Sequence, residues 1–185
     1  MKIIGLLTSL FVLLAGGAAV AERPFTLGPL TSAGSACGFT RFQPSLRGNN
    51  IFIPGSTFVQ LSPSEHLRRG SCQFAIPIQV SSGYRLRLNG LTAFEALHLS
   101  PQSSARTQIE IFKSGQRETP FIIQERSQYQ RMAKRSWVGT AINILSDCGQ
   151  GFILRGNSAM TLQSPGQARA TLSNLRLRYS VESCR

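Results

Sequence analysis

Apolar and polar residues alternate in short runs along most of the chain, and turn-forming residues separate one run from the next. In residues 71–80, "SCQFAIPIQV", the alternation puts five apolar side chains on one face: Cys72, Phe74, Ile76, Ile78 and Val80. After the Ser-Ser-Gly connection at 81–83, "YRLRL" continues the pattern, and "LRLRYSV" near the C-terminus repeats it. A period of two residues is typical of a β-strand with one buried face.

Further runs of this kind predict strands at 93–99, 107–112, 121–125, 137–145, 151–154 and 158–162, and two short strands around Pro54-Gly55. This density of strands, with little helical periodicity, predicts an all-β protein, an antiparallel β-sandwich of the jelly-roll-like type. At most one short helix is expected, at "SQYQRMAKRSW" (127–137), where Ser127 and Gln130 have the spacing of a capping box.

The first 21 residues have the layout of a secretory signal peptide. Lys2 supplies a positive start, residues 3–14 form an apolar run, and small residues end at Ala21. The run is too short for the roughly 20 residues that a membrane-spanning helix needs. We therefore expect cleavage near Ala21 and an extracellular or periplasmic location. Residues 22–36 are predicted to form an extended N-terminal lead-in, and residues 37–185 a single sandwich domain.

All four cysteines, Cys37, Cys72, Cys148 and Cys184, lie downstream of the predicted cleavage site. An even number of cysteines in an exported chain predicts two disulfide bonds. Three pairings are open, and we favour Cys37–Cys72 and Cys148–Cys184, because each bond then closes one end of the chain onto its neighbouring strands. The spacings are too wide for a zinc site, and neither a metal nor a cofactor is predicted.

The net charge of +12 is the outlier of the composition, and arginine carries most of it. Such an excess attracts polyanions, including nucleic acid, anionic lipid surfaces and acidic polysaccharide. Because the chain is expected to be exported, no specific nucleic-acid role is predicted.

Four arginines are the first candidates for anion binding. Alternation puts Arg85 and Arg87 on the outward face of one strand and Arg176 and Arg178 on that of another. If the two strands share a sheet, the guanidinium groups form a flat array suited to bidentate contacts with carboxylate, sulfate or phosphate. They would repel one another unless an anion or Glu182 lay between them. The alternative is a solvated sheet face whose arginine stems cover apolar surface.

A second candidate group lies in residues 126–137, where basic residues alternate with aromatic ones: Arg126, Arg131, Lys134 and Arg135 with Tyr129 and Trp137. Interleaved cationic and aromatic side chains are suited to stacking against sugar rings or exposed bases.

Several segments occur in an order that resembles a known family: "SAGSACG", "RRGSCQFAIPIQVSSGYRLRL", "GLTAFEALHLSP", "FKSG", "DCGQGFILRGNSAMTL" and a final "ESCR". Together they resemble the secreted family catalogued as domain of unknown function 4360, over most of the mature chain. The chain departs from the family at 181–183, where an aromatic and basic ending is expected. The resemblance implies secretion, an all-β fold and the disulfide bonds, and it implies no catalytic residue.

Residues able to support hydrolysis are few. His66 lies in a loop-like segment, His98 is predicted to be a half-buried structural residue, and Asp147 lies in a tight turn. The remaining acidic candidates are scattered, and each is explained as a counter-charge to nearby arginine: Glu95, Glu110, Glu118 and Glu125. The sequence shows neither a nucleophile elbow nor a facing carboxylate pair, and enzymatic activity is not expected.

The sequence therefore predicts a secreted, basic, non-enzymatic protein that acts by binding. The favoured partner is an anionic surface or polymer, either an acidic glycan or an anionic envelope. Two alternatives stay open. One is a protein–protein interaction or inhibitor module, and the other is a hydrolase with an unrecognised active site.

Overall fold

A computed structural model describes residues 23–38, 43–116, 121–127 and 130–184. The predicted signal peptide, Glu118 and Tyr129 lie outside these ranges. Within them the chain forms twelve strands: β1 (Phe25–Leu27), β2 (Thr31–Ala33), β3 (Ser45–Arg47), β4 (Asn50–Leu61), β5 (Leu67–Val80), β6 (Tyr84–Leu99), β7 (Ser103–Lys113), β8 (Phe121–Ser127), β9 (Met132–Thr140), β10 (Ile144–Leu145), β11 (Phe152–Gln163) and β12 (Ala168–Ser183). No helix long and apolar enough to cross a membrane occurs in this described part.

The strands form two antiparallel sheets, as the sequence predicts for a β-sandwich. Sheet A has the order β1-β5-β11-β7-β8, and β2 pairs with β5 beside β1. Sheet B has the order β10-β6-β12-β4-β3, and β9 pairs with β6 beside β10. The lead-in contributes β1 and β2 to sheet A, and Phe25 is buried there.

The core lies between the inner faces of the two sheets, where the alternating apolar residues meet. On β5 the five predicted side chains from Cys72 to Val80 are all buried, and on β6 Leu86 and Leu88 are buried too. Because successive side chains of a strand point to opposite faces, burial of these residues directs their neighbours outwards. The inner face thus decides which residues are available on the outer one.

Strand β4 continues through Pro54-Gly55, so the prediction of two short strands there is wrong. The ladder between β4 and β12 is irregular at this point: Ser173 pairs with Ser56, and Leu175 pairs with Ile53. Proline cannot donate to a ladder, and it is tolerated where pairing is already interrupted. The strand therefore bends here without turning back.

Strand β12 has a β-bulge at Asn174, whose φ of 53° is in the left-handed region: against β6, Ser173 pairs with Phe94 and Arg176 pairs with Thr92, so two residues of β12 lie opposite one of β6. Before it, the buried residues of β12 are Ala168, Ala170 and Leu172; after it, they are Leu175 and Leu177. The extra residue therefore shifts the inward set by one position, and Arg176 and Arg178 point outwards because of it.

The predicted helix at 127–137 is wrong. Strand β8 ends at Ser127 in sheet A, and β9 begins at Met132 in sheet B, so the chain crosses between the sheets here. The Ser127 hydroxyl donates to the backbone carbonyl of Gln130, whereas a capping box would have it accept from a backbone N–H. From 132 to 138 half-buried and exposed residues alternate. This period of two residues is that of a β-strand, so the capping-box spacing at Ser127 and Gln130 does not indicate a helix here.

Both favoured disulfide bonds are confirmed, Cys37–Cys72 and Cys148–Cys184. Cys72 is buried on β5 in sheet A, and Cys37 forms a backbone bridge with Thr57 of β4 in sheet B. The first bond therefore links the two sheets. The second bond lies beside the β5–β6 hairpin, where the Cys184 N–H donates to the Gly83 carbonyl.

Candidate binding face

The four strand arginines all lie on the outer face of sheet B, because β6 and β12 are neighbours in it. They do not form one array, since two of them share a counter-charge. Glu182 Oε2 accepts from Arg85 Nε at 2.8 Å, and Glu182 Oε1 accepts from Arg87 Nε at 2.7 Å. The hydrogen bond from Arg87, with that from Arg85, lowers the pKa of Glu182. One negative charge is therefore shared by two guanidinium groups, and this end of the face keeps one net positive charge among the three residues.

Removing the Glu182 carboxylate is expected to leave both guanidinium groups without an acidic partner, although Arg87 keeps its hydrogen bond to Asn143 Oδ1. We predict that Glu182→Gln elutes from a sulfated-polysaccharide column at higher salt than the wild type, because two freed arginines add to the attraction for polyanions. Glu110→Gln is the matched control: it removes the same charge from sheet A, where Glu110 accepts only from Asn157. Equal elution of the two variants would contradict the prediction.

Farther along the same face, aromatic and arginine side chains alternate across five strands. We call this the aromatic–arginine strip: Arg47 of β3, Phe52 of β4, Arg176 of β12, Phe94 of β6 and Trp137 of β9. The Arg47 guanidinium carbon lies 4.7 Å from the centre of the Phe52 ring. That of Arg176 lies 4.0 Å from the Trp137 ring and 6.0 Å from the Phe52 ring. Phe94 and Trp137 meet edge to face, with their ring centroids 5.5 Å apart.

Arg176 contacts Trp137 and has no acidic partner among the described residues. A guanidinium that contacts an aromatic ring through its carbon keeps N–H donors able to bind a carboxylate in a bidentate manner. Within the part of the chain that the structure describes, no carboxylate pairs with Arg176. Trp137 is itself 47% exposed, so an apolar surface lies beside the charge.

A groove lies at the other end of the face. It has a volume of about 530 Å³, and polar or basic side chains contribute to its walls: Gln60, His98, Arg131, Gln167 and Arg169. We call it the basic groove. The register explains its composition, because Ala133, His98, Arg169 and Gln60 lie side by side on β9, β6, β12 and β4.

Between the strip and the basic groove the face is open. Phe58, Thr171, Ala96 and Arg135 form one row across the sheet. Phe58 is 45% exposed, and Arg135 is exposed as well. The strip and the groove are therefore joined by a surface that again combines an aromatic ring with an arginine.

The second predicted group is split by the fold. Arg131, Arg135 and Trp137 reach the outer face of sheet B, as described above. Arg126 is exposed on β8 of sheet A, and Lys134 points inwards, where it donates to the Glu125 carboxylate. The chain crosses between the sheets within this group, and alternation along β9 turns Lys134 away from Arg135.

The candidate catalytic residues lie apart from one another. Asp147 forms an ion pair with Lys113 at 2.8 Å, and the hydrogen bond from Lys113 lowers the Asp147 pKa. The residue before Asp147, Ser146, donates its N–H to the backbone carbonyl of Leu86 near the start of β6. His98 lies at the other end of β6, so about 40 Å of strand separates Asp147 from it. The side chain of His66 is exposed in a loop. No group of three or more metal-ligating side chains occurs in the described ranges.

Glu95 is the exception among the scattered glutamates. It is 1% exposed on the inner face of β6, and its Oε1 accepts from the Thr107 hydroxyl at 2.9 Å. Among the described residues, its Oε2 has no hydrogen-bond partner, and neither has the hydroxyl of Ser136, which pairs with Glu95 in the β6–β9 register. Burial raises the pKa of Glu95. This carboxyl faces the core and does not reach the outer face.

Sequence reasoning missed several residues of the face: Arg47, Phe52, Phe58, Phe94 and Arg169. For Phe52 a signal was present, because burial of Ile51 and Ile53 requires the residue between them to point outwards. No comparable signal shows that Phe52 and Trp137 approach the same arginine, since this depends on the order of strands in the sheet.

Comparisons with known proteins find similarity among solved structures only. No protein-family model and no curated protein matches the chain. Similar solved structures include TmCBM61 in complex with β-1,4-galactotriose, with 8% identity, coverage of 84% of this chain and 89% of that chain, and a TM-score of 0.31. CBM4 has 11% identity to this chain, with coverage of 86% of this chain and 90% of that chain and a TM-score of 0.31.

A third similar structure is a family 11 carbohydrate-binding module from Clostridium thermocellum in complex with a β-1,3-1,4-mixed-linked tetrasaccharide. Its identity is 6%, the coverage is 86% of this chain and 91% of that chain, and the TM-score is 0.22. At these identities and TM-scores, the similarities carry no inference about this chain.

Proposed function

We propose that this chain is a secreted, non-enzymatic module that binds an acidic polysaccharide through the outer face of sheet B. The observation that carries the proposal is the contact of Arg176 with Trp137, at 4.0 Å from the ring centre. An acidic sugar presents an apolar ring face and a carboxylate or sulfate on the same unit. The exposed part of Trp137 suits the ring, and the in-plane N–H groups of Arg176 suit the acid.

The charge distribution supports an anionic ligand. Arg47, Arg135 and Arg176 are exposed on one face, and none of them has a carboxylate partner in the part of the chain described. Attraction between this face and an acidic polymer decreases as salt screens the charges. The aromatic contacts are not screened, so some affinity remains at physiological salt.

Export is part of the proposal, because a polysaccharide outside the cell is the ligand class this surface suits. The signal-peptide layout of residues 1–21 and the two disulfide bonds support it. Membership of the resembled secreted family stays a prediction.

The test is calorimetric titration of the purified protein with polygalacturonate and with the same polymer fully methyl-esterified, across a salt series. We expect binding to the acidic form only. Trp137→Ala and Arg176→Ser are each expected to weaken it about tenfold or more, since a loss of 1.4 kcal/mol is a factor of ten and aromatic and arginine anchors commonly contribute that much.

Arg155→Ser is the matched control, because Arg155 is exposed on β11 in the other sheet. It removes the same charge as Arg176→Ser. Because Arg155 lies away from the proposed binding face, the variant should lower the affinity only slightly. Equal losses from the two arginine variants would mean that net charge alone drives binding, and would overturn the proposal. Equal binding of the acidic and esterified polymers would overturn the choice of an acidic ligand.

A further inference from the structure

The basic groove has features that nonspecific charge does not explain. It is concave, with a volume of about 530 Å³, and Arg131 and Arg169 contribute to its walls. The amides of Gln60 and Gln167 and the half-buried His98 ring lie in the same walls. Across the described residues, neither arginine has a carboxylate partner. On the same face Arg85 and Arg87 share the Glu182 carboxylate, so Arg131 and Arg169 differ from them in having no acidic partner among the described residues.

The groove and the strip share one strand. Arg169 and Arg176 both point outwards from β12, on either side of the bulge at Asn174. Their partners on β6, His98 and Thr92, are six positions apart, so the two arginines are about 20 Å apart at a rise of about 3.4 Å per residue. The residues exposed or half-buried along this path are Thr171, Ser173 and Asn174, and the exposed Phe58 ring lies beside Thr171.

We infer that the basic groove is a second acid-binding subsite, and that the face binds an extended acidic oligosaccharide running along β12 with one acid group at Arg176 and another at Arg131 and Arg169. This inference rests on the proposed function and adds a length requirement to it. A ligand too short to span about 20 Å reaches one subsite only. A longer ligand gains the second subsite within the same molecule, and its affinity rises by the effective concentration of the linked acid.

The experiment measures affinity for a series of galacturonate oligomers, from the disaccharide to the octasaccharide, at fixed salt. For the wild type we expect affinity to increase at least tenfold over the series and to level off once the oligomer spans both subsites. Arg131→Ser combined with Arg169→Ser should bind short oligomers as the wild type does, and should lose the gain for long ones.

The control is Arg106→Ser combined with Arg155→Ser, which removes two exposed charges from the outer face of sheet A. It should keep the wild-type dependence on length. If the groove variant also keeps that dependence, the second subsite does not exist, although the proposed function stands. If no oligomer binds the wild type, both proposals fail.

Discussion

Replacing Cys37 and Cys72 together by alanine is expected to lower the free energy of unfolding by about 4 kcal/mol, from the loop-entropy relation for a disulfide of this span. The bond joins residues 35 positions apart, and Cys72 is fully buried on β5. Because Cys37 also bridges to Thr57 of β4, the bond restrains the two sheets relative to each other. Urea unfolding under non-reducing conditions, followed by tryptophan fluorescence, measures the loss.

The second disulfide bond provides a control of matched length. Cys148 and Cys184 are 36 positions apart, so the loop contribution of this bond is nearly the same. Cys148 is exposed, however, and its replacement removes little packing. We therefore expect the pair Cys148→Ala and Cys184→Ala to be less destabilising than the first pair. A smaller loss for the first pair would show that it does not restrain the two sheets as described.

The second large effect is expected at Glu95. Because burial raises its pKa above the ordinary 4.5, the folded protein holds this proton more tightly than the unfolded chain does. The contribution of Glu95 to stability is therefore fully present below about pH 4.5, and it is lost as pH rises through the raised pKa. The nearby charges act in opposite directions: Lys134 lowers the pKa and Glu125 raises it.

Glu95→Gln is expected to stabilise the protein by about 1–3 kcal/mol at pH 8, the cost of a buried polar group left without a partner, and to change little at pH 4. The glutamine carbonyl can accept from Thr107, and its amide can donate to the unpartnered hydroxyl of Ser136. Thermal unfolding of wild type and variant from pH 4 to pH 8 gives the comparison. A stability difference that does not change with pH would contradict this account.

A matched substitution separates this effect from a general loss of negative charge. Glu110 lies on the outer face of sheet A and binds Asn157. Relative to the wild type, Glu110→Gln should therefore show no comparable gain in the free energy of unfolding as the pH is raised. Glu182 has the opposite effect on stability, because its pKa is lowered and its ion pairs are lost as the pH falls. This effect is the same in the wild type, Glu95→Gln and Glu110→Gln, so it cancels in the comparison.

The sandwich was predictable because alternation is a local pattern. For the disulfide bonds the sequence indicated only their number, and the favoured pairing was one of three open ones. Alternation along β5 and β6 identifies the buried faces without any knowledge of which strands pair. The outward direction of Arg85, Arg87, Arg176 and Arg178 follows from the same pattern. Glu182 was recognised as a residue able to separate the arginines, because it lies on the outward side of the last strand.

The aromatic–arginine strip was not predictable, because it is assembled from five strands that are distant in sequence. Only the sheet order brings Phe52 and Trp137 to either side of Arg176. Nearness along the chain was misleading in the opposite case: Lys134 and Arg135 are adjacent, yet they point to different sides of sheet B. For residues on an outer face, strand order decides which side chains act together.

The single extra residue at Asn174 has a consequence for comparing this chain with others. Buried positions on β12 are even-numbered before the bulge and odd-numbered after it. A chain that kept Arg176 but lacked one residue here would turn that arginine towards the core and expose Leu175 and Leu177 instead. In a sequence alignment, a one-residue gap at this position would therefore signal loss of the strip even if every arginine were retained.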